Sequence, residues 1–261
     1  MLKYIGFGVI IVMKFVLNNK KRDEMVKVII AEDDERQLQN FSNFITNETN
    51  FEIVAKTTNG KDTIEKYLEL KPDVLFLDLD MPNINGLGVL RNLKNQNDKR
   101  NIIITSQSKE LISDLYDFEN IYRLMPKPFK FDQAIKSAKE IYLENSLVAS
   151  KERIKNILAK LGFNPSVSGT SHFIELIFIK YQRRNKKLSL KDLYKIVSTD
   201  AGLLTSTSVK WSIENALSSA KRFMDKDLLY SIFNDYHPAF EITISYLSDL
   251  IVNYLERVNK G

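Results

Sequence analysis

The chain has 261 residues, 44% of them hydrophobic and 27% charged, a composition that builds ordered cores and is more comfortable as two domains than as one. It has no cysteine and only two histidines, His172 and His237, which excludes disulfides, thiol catalysis and Cys-based zinc sites and argues against a histidine-rich metal site. The net charge of +5 is uneven: residues 25–146 hold 16 Lys/Arg against 20 Asp/Glu, residues 150–261 hold 17 against 11, and residues 1–24 add +3, so a polyanion is expected on the second half.

Leu2 to Leu17 is apolar but interrupted by Lys3 and Lys14, and Lys20, Lys21 and Arg22 follow. The stretch falls short of the roughly 20 apolar residues of a transmembrane helix. No small-residue cleavage site follows it. Residues 1–24 are therefore expected to be an N-terminal extension, with a weak membrane anchor as the alternative. Met25 would serve as a start for the strand-like segment behind it. The expected compartment is the cytoplasm, with no stable membrane partner.

From residue 25 to 146, short apolar runs alternate with amphipathic stretches, as in a parallel sheet covered on both faces. Strands are predicted at Val26–Ala31, Phe51–Thr57, Val74–Leu77, Ile102–Ile104 and Ile121–Met125. Helices are predicted after the first strand to about Glu48, across Gly60–Leu70, and at Phe131–Leu143. The expected fold is a doubly wound, five-stranded α/β domain whose ligands gather at the carboxyl ends of the strands.

After about Asn145 the pattern becomes wholly helical. Helices are expected at Lys151–Leu161, His172–Tyr181, Leu188–Val197, Ser208–Phe223, Asp227–Phe233 and Ile242–Val258. The expected organisation is an α/β domain at 25–146 and an all-α domain at 150–261.

Asp33 and Asp34 follow the first strand and Asp78 follows the third, so parallel strands bring three carboxylates to one crevice. Such a group repels itself unless a cation sits within it, and Mg²⁺ suits all-oxygen coordination. Lys127, within Pro126-Lys127-Pro128, can neutralise one oxygen of a transferring phosphoryl group. The Thr105 hydroxyl can donate to another. A carboxylate attacking phosphorus needs those supports, because charge spreads over the equatorial oxygens.

These motifs resemble the receiver domains of two-component response regulators over about 120 residues. Asp33-Asp34 is similar to the family's acidic pair, and the run from Asp78 to Gly86 to its phosphorylation-site strand and following loop. Thr105 corresponds to the switch hydroxyl and Lys127-Pro128-Phe129 to the lysine with its cis-peptide proline. The resemblance implies that Asp78 is the phosphoacceptor and that the Asp80 backbone carbonyl is a further metal ligand. It also implies a sensor histidine kinase or phosphotransfer protein as partner. Asn85 departs from the family's usual aspartate, and Leu124 stands at its aromatic switch position. Tyr122, two residues earlier, is expected on the same strand face as Leu124, and whether it substitutes is left open.

In the helical half, Leu190–Val197 and the helix from Ser208 form a helix-turn-helix arrangement around a turn at Ala201-Gly202. Lys210, Trp211, Glu214 and Asn215 are candidates for base preference, with Ser208 on the same polar face. Lys221 and Arg222, in the last turn, are candidates for phosphate contacts. Residues 153–258 resemble the C-terminal DNA-binding domain of the sporulation master response regulator of endospore-forming bacteria. The likeness rests on Ile154–Gly162, Leu193-Tyr194 and Ser208–Ala216. It implies duplex DNA as partner and phosphorylation-dependent homodimers on the operator. That family presents arginines where this chain has Ser208, Trp211 and Glu214, and glutamate at Lys210, so the family's operator is not carried over. The expected protein is a divergent paralogue, a phosphorylation-controlled DNA-binding transcription regulator without a separate catalytic domain. The alternative is a receiver whose helical domain is a protein-interaction adaptor.

Overall fold

Parallel pairing of five apolar segments sets the frame of the first half. The computed structural model describes residues 25–94, 101–107, 115, 118–200 and 205–258. The expected extension at 1–24 and the turn at Ala201–Gly202 lie outside the described residues. The chain divides into two compact units between Ser146 and Leu147.

The first unit holds strands β1 (Val26–Ala31), β2 (Phe51–Thr57), β3 (Val74–Asp78), β4 (Ile102–Ser106) and β5 (Ile121–Pro126). They form one sheet in the order β2-β1-β3-β4-β5, all parallel. Helices α1 (Glu35–Thr46), α2 (Gly60–Leu70), α3 (Gly86–Leu93) and the start of α4 (Phe131–Lys160) cover it. Period-2 alternation along β1 sends Val28 and Ile30 to one face, where they pack with Phe41 and Ile45 of α1 and Ala138 and Ile141 of α4. Ile29 and Ala31 go to the other, against Tyr67 of α2 and Leu90 and Leu93 of α3. Burial on both faces explains why the strands read as continuous apolar runs.

The expected doubly wound sheet is borne out, with local differences. Helix α3 was not predicted; two glycines weaken its pattern, and its start is fixed by the Asn85 side chain accepting from the Gly88 N–H at 3.0 Å. The helices expected at Phe131–Leu143 and Lys151–Leu161 are one continuous helix, α4. Residues 144–150 contain no Gly or Pro to stop it. The stop comes at Gly162, whose φ of +85° suits glycine.

The strand β5 holds a register irregularity: Ile102 pairs with Ile121, but Ile103 pairs with Arg123. The extra residue is Tyr122, and the bulge turns its side chain to the α1/α4 face, while Leu124 stays on the α2/α3 face. This corrects the same-face expectation for Tyr122. Its hydroxyl instead donates to Glu144 Oε1 at 3.1 Å.

The second unit is wholly helical among the described residues: the end of α4, then α5 (Ser168–Gln182), α6 (Leu190–Asp200), α7 (Ser206–Ala220), α8 (Lys226–Ile232) and α9 (Ile244–Val258). Its core gathers Ile154, Phe173, Leu176, Val209, Ile213, Phe233 and Ile251. Helices α5 and α7 approach closely because Gly169 has no side chain: a Cβ there would lie 2.0 Å from the Ser212 carbonyl oxygen.

Candidate functional site

Strand ends and the first residues beyond them build the acidic cleft. Glu32 follows β1 and is tied to β2 by its N–H donating to the Thr57 carbonyl at 3.0 Å. Asp78 ends β3 and pairs in register with Thr105 of β4. Lys127 follows β5, its N–H donating to the Ser106 carbonyl at 2.9 Å, ahead of a cis Lys127–Pro128 peptide. Carboxylate oxygens of Glu32, Asp33 and Asp78 all lie within 4.8 Å of one another. Lys127 Nζ donates to Asp78 Oδ2 at 2.7 Å and to both Glu32 oxygens at 2.7 and 3.0 Å. The Asp80 N–H donates to Asp78 Oδ1 at 3.3 Å, and the Ser106 hydroxyl to Asp80 Oδ2 at 3.2 Å.

This corrects the acidic pair. Asp34 was expected beside Asp33 as a metal ligand, but its side chain caps α1, with Oδ1 accepting from the Arg36 and Gln37 N–H groups at 2.9 and 3.1 Å. Oδ2 takes the Gln37 side-chain amide. The Gln37 backbone bond, ahead of the others, holds the Asp34 carboxyl below its usual range. Glu32, which the sequence reading missed, takes the place in the cluster. The signal was available: β1 ends at Ala31, so Glu32-Asp33 are the first two residues off the strand, while Asp34 immediately precedes a helical pattern as an N-cap.

The cleft around these groups, about 640 Å³, is lined by Asp33, Asp78, Asp80, Gln107 and Lys127 among others. Thr105 is buried beside Asp78 and lines an adjoining cleft with Lys127 and Phe129. Burial, with the Asp78 charge adding to it, pushes the Glu32 carboxyl up to about 7 against the pull of Lys127. For Lys127, burial works against the charge, but its bonds to Asp78 and Glu32 outweigh it and its pKa is raised. Three carboxyl groups share one ammonium, so acidic oxygens are in surplus. Carboxylates at the 4.8 Å limit repel by roughly 3–4 kcal/mol per pair at an effective dielectric of 20. An all-oxygen donor set with that surplus fits a hard divalent cation such as Mg²⁺.

Residues 28–139 match the family model for the response regulator receiver domain. The chemotaxis protein CheY of Thermotoga maritima is 30% identical over 82 residues, which cover 31% of this chain and 68% of that protein.

The chain belongs to the response regulator receiver family.

The protein-glutamate methylesterase/protein-glutamine glutaminase of Bacillus subtilis is 31% identical to the receiver over 86 residues, 33% of this chain. The chain spans 24% of that relative's length and 26% of its counterpart in Thermotoga maritima. The crystal structure of the response regulatory domain of protein mrkE from Klebsiella pneumoniae is similar at 25% identity and a TM-score of 0.41, covering 45% of this chain and 96% of that one.

The receiver match ends at residue 139, and the residues singled out on the helical unit lie beyond it. Thr205 caps α7, accepting from the Ser208 N–H at 3.1 Å and sharing a hydrogen bond with its hydroxyl. Lys210 pairs with Glu214 at 3.6 Å. Trp211 is 67% exposed, which settles it as a surface residue and not a core one. Asn215 is exposed as well. The helix ends at Ala220, earlier than expected, so Lys221 is its C-cap and Arg222 lies in the following turn. Lys221 is paired with Glu241 at 3.2 Å, whereas Arg222 has no ion pair among the described residues.

Proposed function

We propose that this protein is a two-component response regulator in which Asp78 accepts a phosphoryl group and residues 150–261 bind duplex DNA in response. The observation that carries the first part is the meeting of Glu32, Asp33, Asp78 and Lys127 at one sheet edge. The donor would be a phosphohistidine on a sensor kinase or phosphotransfer protein. An Asp78 carboxylate oxygen attacks phosphorus, the P–O bond forms as the P–N bond breaks, and the imidazole leaves with the electron pair. Lys127, which donates to Asp78 at 2.7 Å, offsets charge on the phosphoryl oxygens. The Asp80 N–H fixes the orientation of the Asp78 carboxylate. The Thr105 hydroxyl would donate to the transferred group, a role supported by its pairing in register with Asp78. Glu32, Asp33, Asp78 and the Asp80 carbonyl would hold Mg²⁺, which when bound supplies positive charge to those oxygens.

Support for DNA as the output is the excess of basic residues in 150–261 and the polar, exposed face of α7, together with the likeness of 153–258 to the sporulation regulator's DNA-binding domain. A phosphorylation-dependent homodimer on DNA follows from the same likeness. A second reading, a protein-interaction adaptor, is favoured by Trp211 and Phe223, both apolar and 67% exposed.

The test for the first half is Mg²⁺-dependent labelling by acetyl phosphate. Wild type should be labelled and Asp78→Asn should not; phosphate recovered on another residue with Asp78 unmodified would sink the assignment. For the output, selection of duplexes from a random pool by the phosphorylated protein should enrich a motif. Recovery of unenriched sequence at non-specific affinity would favour the adaptor.

A further inference from the structure

The exposed surface of α7 is two stripes, not one. Ser208, Trp211 and Asn215 run along the outer stripe, with Arg222 in the turn beyond its end. Thr207, Lys210, Glu214, Ser218 and Lys221 run along the other, facing a groove of about 780 Å³ that α6 and the start of α9 complete. Lys191 enters this groove from α6 and makes no ion pair among the described residues. The first turn of α9 closes the far side. Thr243 caps it, its hydroxyl accepting from the Tyr246 N–H and its carbonyl from the Leu247 N–H, so the N–H groups of Ile244 and Ser245 have no acceptor within the helix.

An independent feature of the same groove is Tyr194. It is 7% exposed and lines the groove, yet its hydroxyl has no hydrogen-bond partner among the described residues. The ring is buried while the hydroxyl opens on the groove, where a ligand oxygen can accept its hydrogen bond. Burial first, and the Glu214 charge second, raise its pKa, so it is a neutral donor. Among the apolar side chains of Leu190, Leu217, Ile242 and Ile244, the groove sets a group of donors: three ammonium groups, a phenol O–H and a helix N-terminus. Its two carboxylates, Glu214 and Glu241, belong to exposed pairs that exchange partners at little cost.

We propose that this groove is a phosphate-ester site that seats one strand of the DNA backbone, with Tyr194 and Lys191 as its phosphate contacts, leaving the outer stripe of Trp211 and Asn215, and Arg222 beyond it, to the bases. This rests on the DNA-binding reading and deepens it. A phosphate oxygen accepts from Tyr194 and from the α9 N-terminus, as anions do at helix starts. Lys210 and Lys221 release their glutamates to the same strand. Contacts of this kind position the duplex without reading its sequence.

The experiment uses the full-length protein with selectively labelled tyrosine, the Tyr194 signal being assigned by its loss in Tyr194→Phe. A short random-sequence duplex and inorganic pyrophosphate are added separately, and duplex affinity is measured across a salt series for wild type, Tyr194→Phe and Lys191→Ala. The expected result is a saturable shift of the Tyr194 signal with each probe. Tyr194→Phe should weaken duplex binding about tenfold whatever the sequence. Lys191→Ala should reduce the salt slope by about one unit. Wild-type duplex affinity and salt slope in both variants would overturn the groove while leaving DNA binding standing. No duplex binding by wild type, with a pyrophosphate shift at Tyr194, would keep the groove as a site for a soluble phosphate ester and remove the DNA reading. No response to either probe overturns both.

Discussion

Lys127 Nζ and Asp78 Oδ2 lie 2.7 Å apart with both side chains almost wholly buried, 6% and 4% exposed. The same ammonium also holds Glu32, so one cation keeps two buried carboxylates in the sheet edge. Removing it leaves uncompensated buried charge.

Lys127→Ala should therefore destabilise the metal-free receiver by about 3 kcal/mol at neutral pH, short of unfolding it. Mg²⁺ should restore much of that loss, because it replaces the missing positive charge, while labelling of Asp78 stays impaired. Urea unfolding with and without Mg²⁺ checks this. A variant as stable as wild type in the absence of metal would contradict the buried-pair argument.

Glu32 and Asp34 should behave differently although they are two residues apart. Asp34→Ala removes a helix cap and should cost about 1 kcal/mol of stability. It should leave Mg²⁺ affinity nearly unchanged. Glu32→Gln and Asp33→Asn should each weaken Mg²⁺ binding at least roughly tenfold, since ligand loss costs no less than loss of a ligand's support. Calorimetric titration with Mg²⁺ separates the two behaviours. A large affinity loss in Asp34→Ala would restore it as a ligand.

His172 of α5 bonds through Nδ1 to the Ser212 hydroxyl of α7 at 2.8 Å, and burial lowers its pKa from 6.5. The unfolded chain then binds the proton more readily than the folded one. The stability linked to neutral His172 is complete above pH 6.5 and is lost as pH falls through that value toward the folded-state pKa. His172→Gln should flatten that part of the profile. The measurement is the difference in urea midpoint between variant and wild type at several pH values. A difference that does not change between pH 8 and pH 5 would rule the linkage out.

Gly169→Ala tests the approach of α5 to α7. The new Cβ would lie 2.0 Å from the Ser212 carbonyl oxygen and 3.0 Å from Ala216 Cβ, so the helices must separate. The expected cost is about 1–3 kcal/mol, despite alanine's better helix propensity. Thermal unfolding measures it, and a neutral or raised midpoint would show that the helices yield freely.

The sequence by itself determined the α/β order, the apolar strands and the convergence of Asp33, Asp78 and Lys127, because each depends on local periodicity and on carboxyl ends meeting in a parallel sheet. It also determined the helical character of the second half. It misplaced what depends on one residue of register. Asp34 reads as a ligand until the start of α1 is fixed, and then its carboxylate is consumed by backbone N–H groups that only a helix exposes. Tyr122 reads as a neighbour of Leu124 until the bulge against β4 reverses its face. The two stripes of α7 are both exposed, and only the packing of α6 and α9 beside one of them makes a groove. Periodicity gives each side chain a direction relative to its own element. What that direction meets is decided by the neighbouring element, which local pattern does not encode.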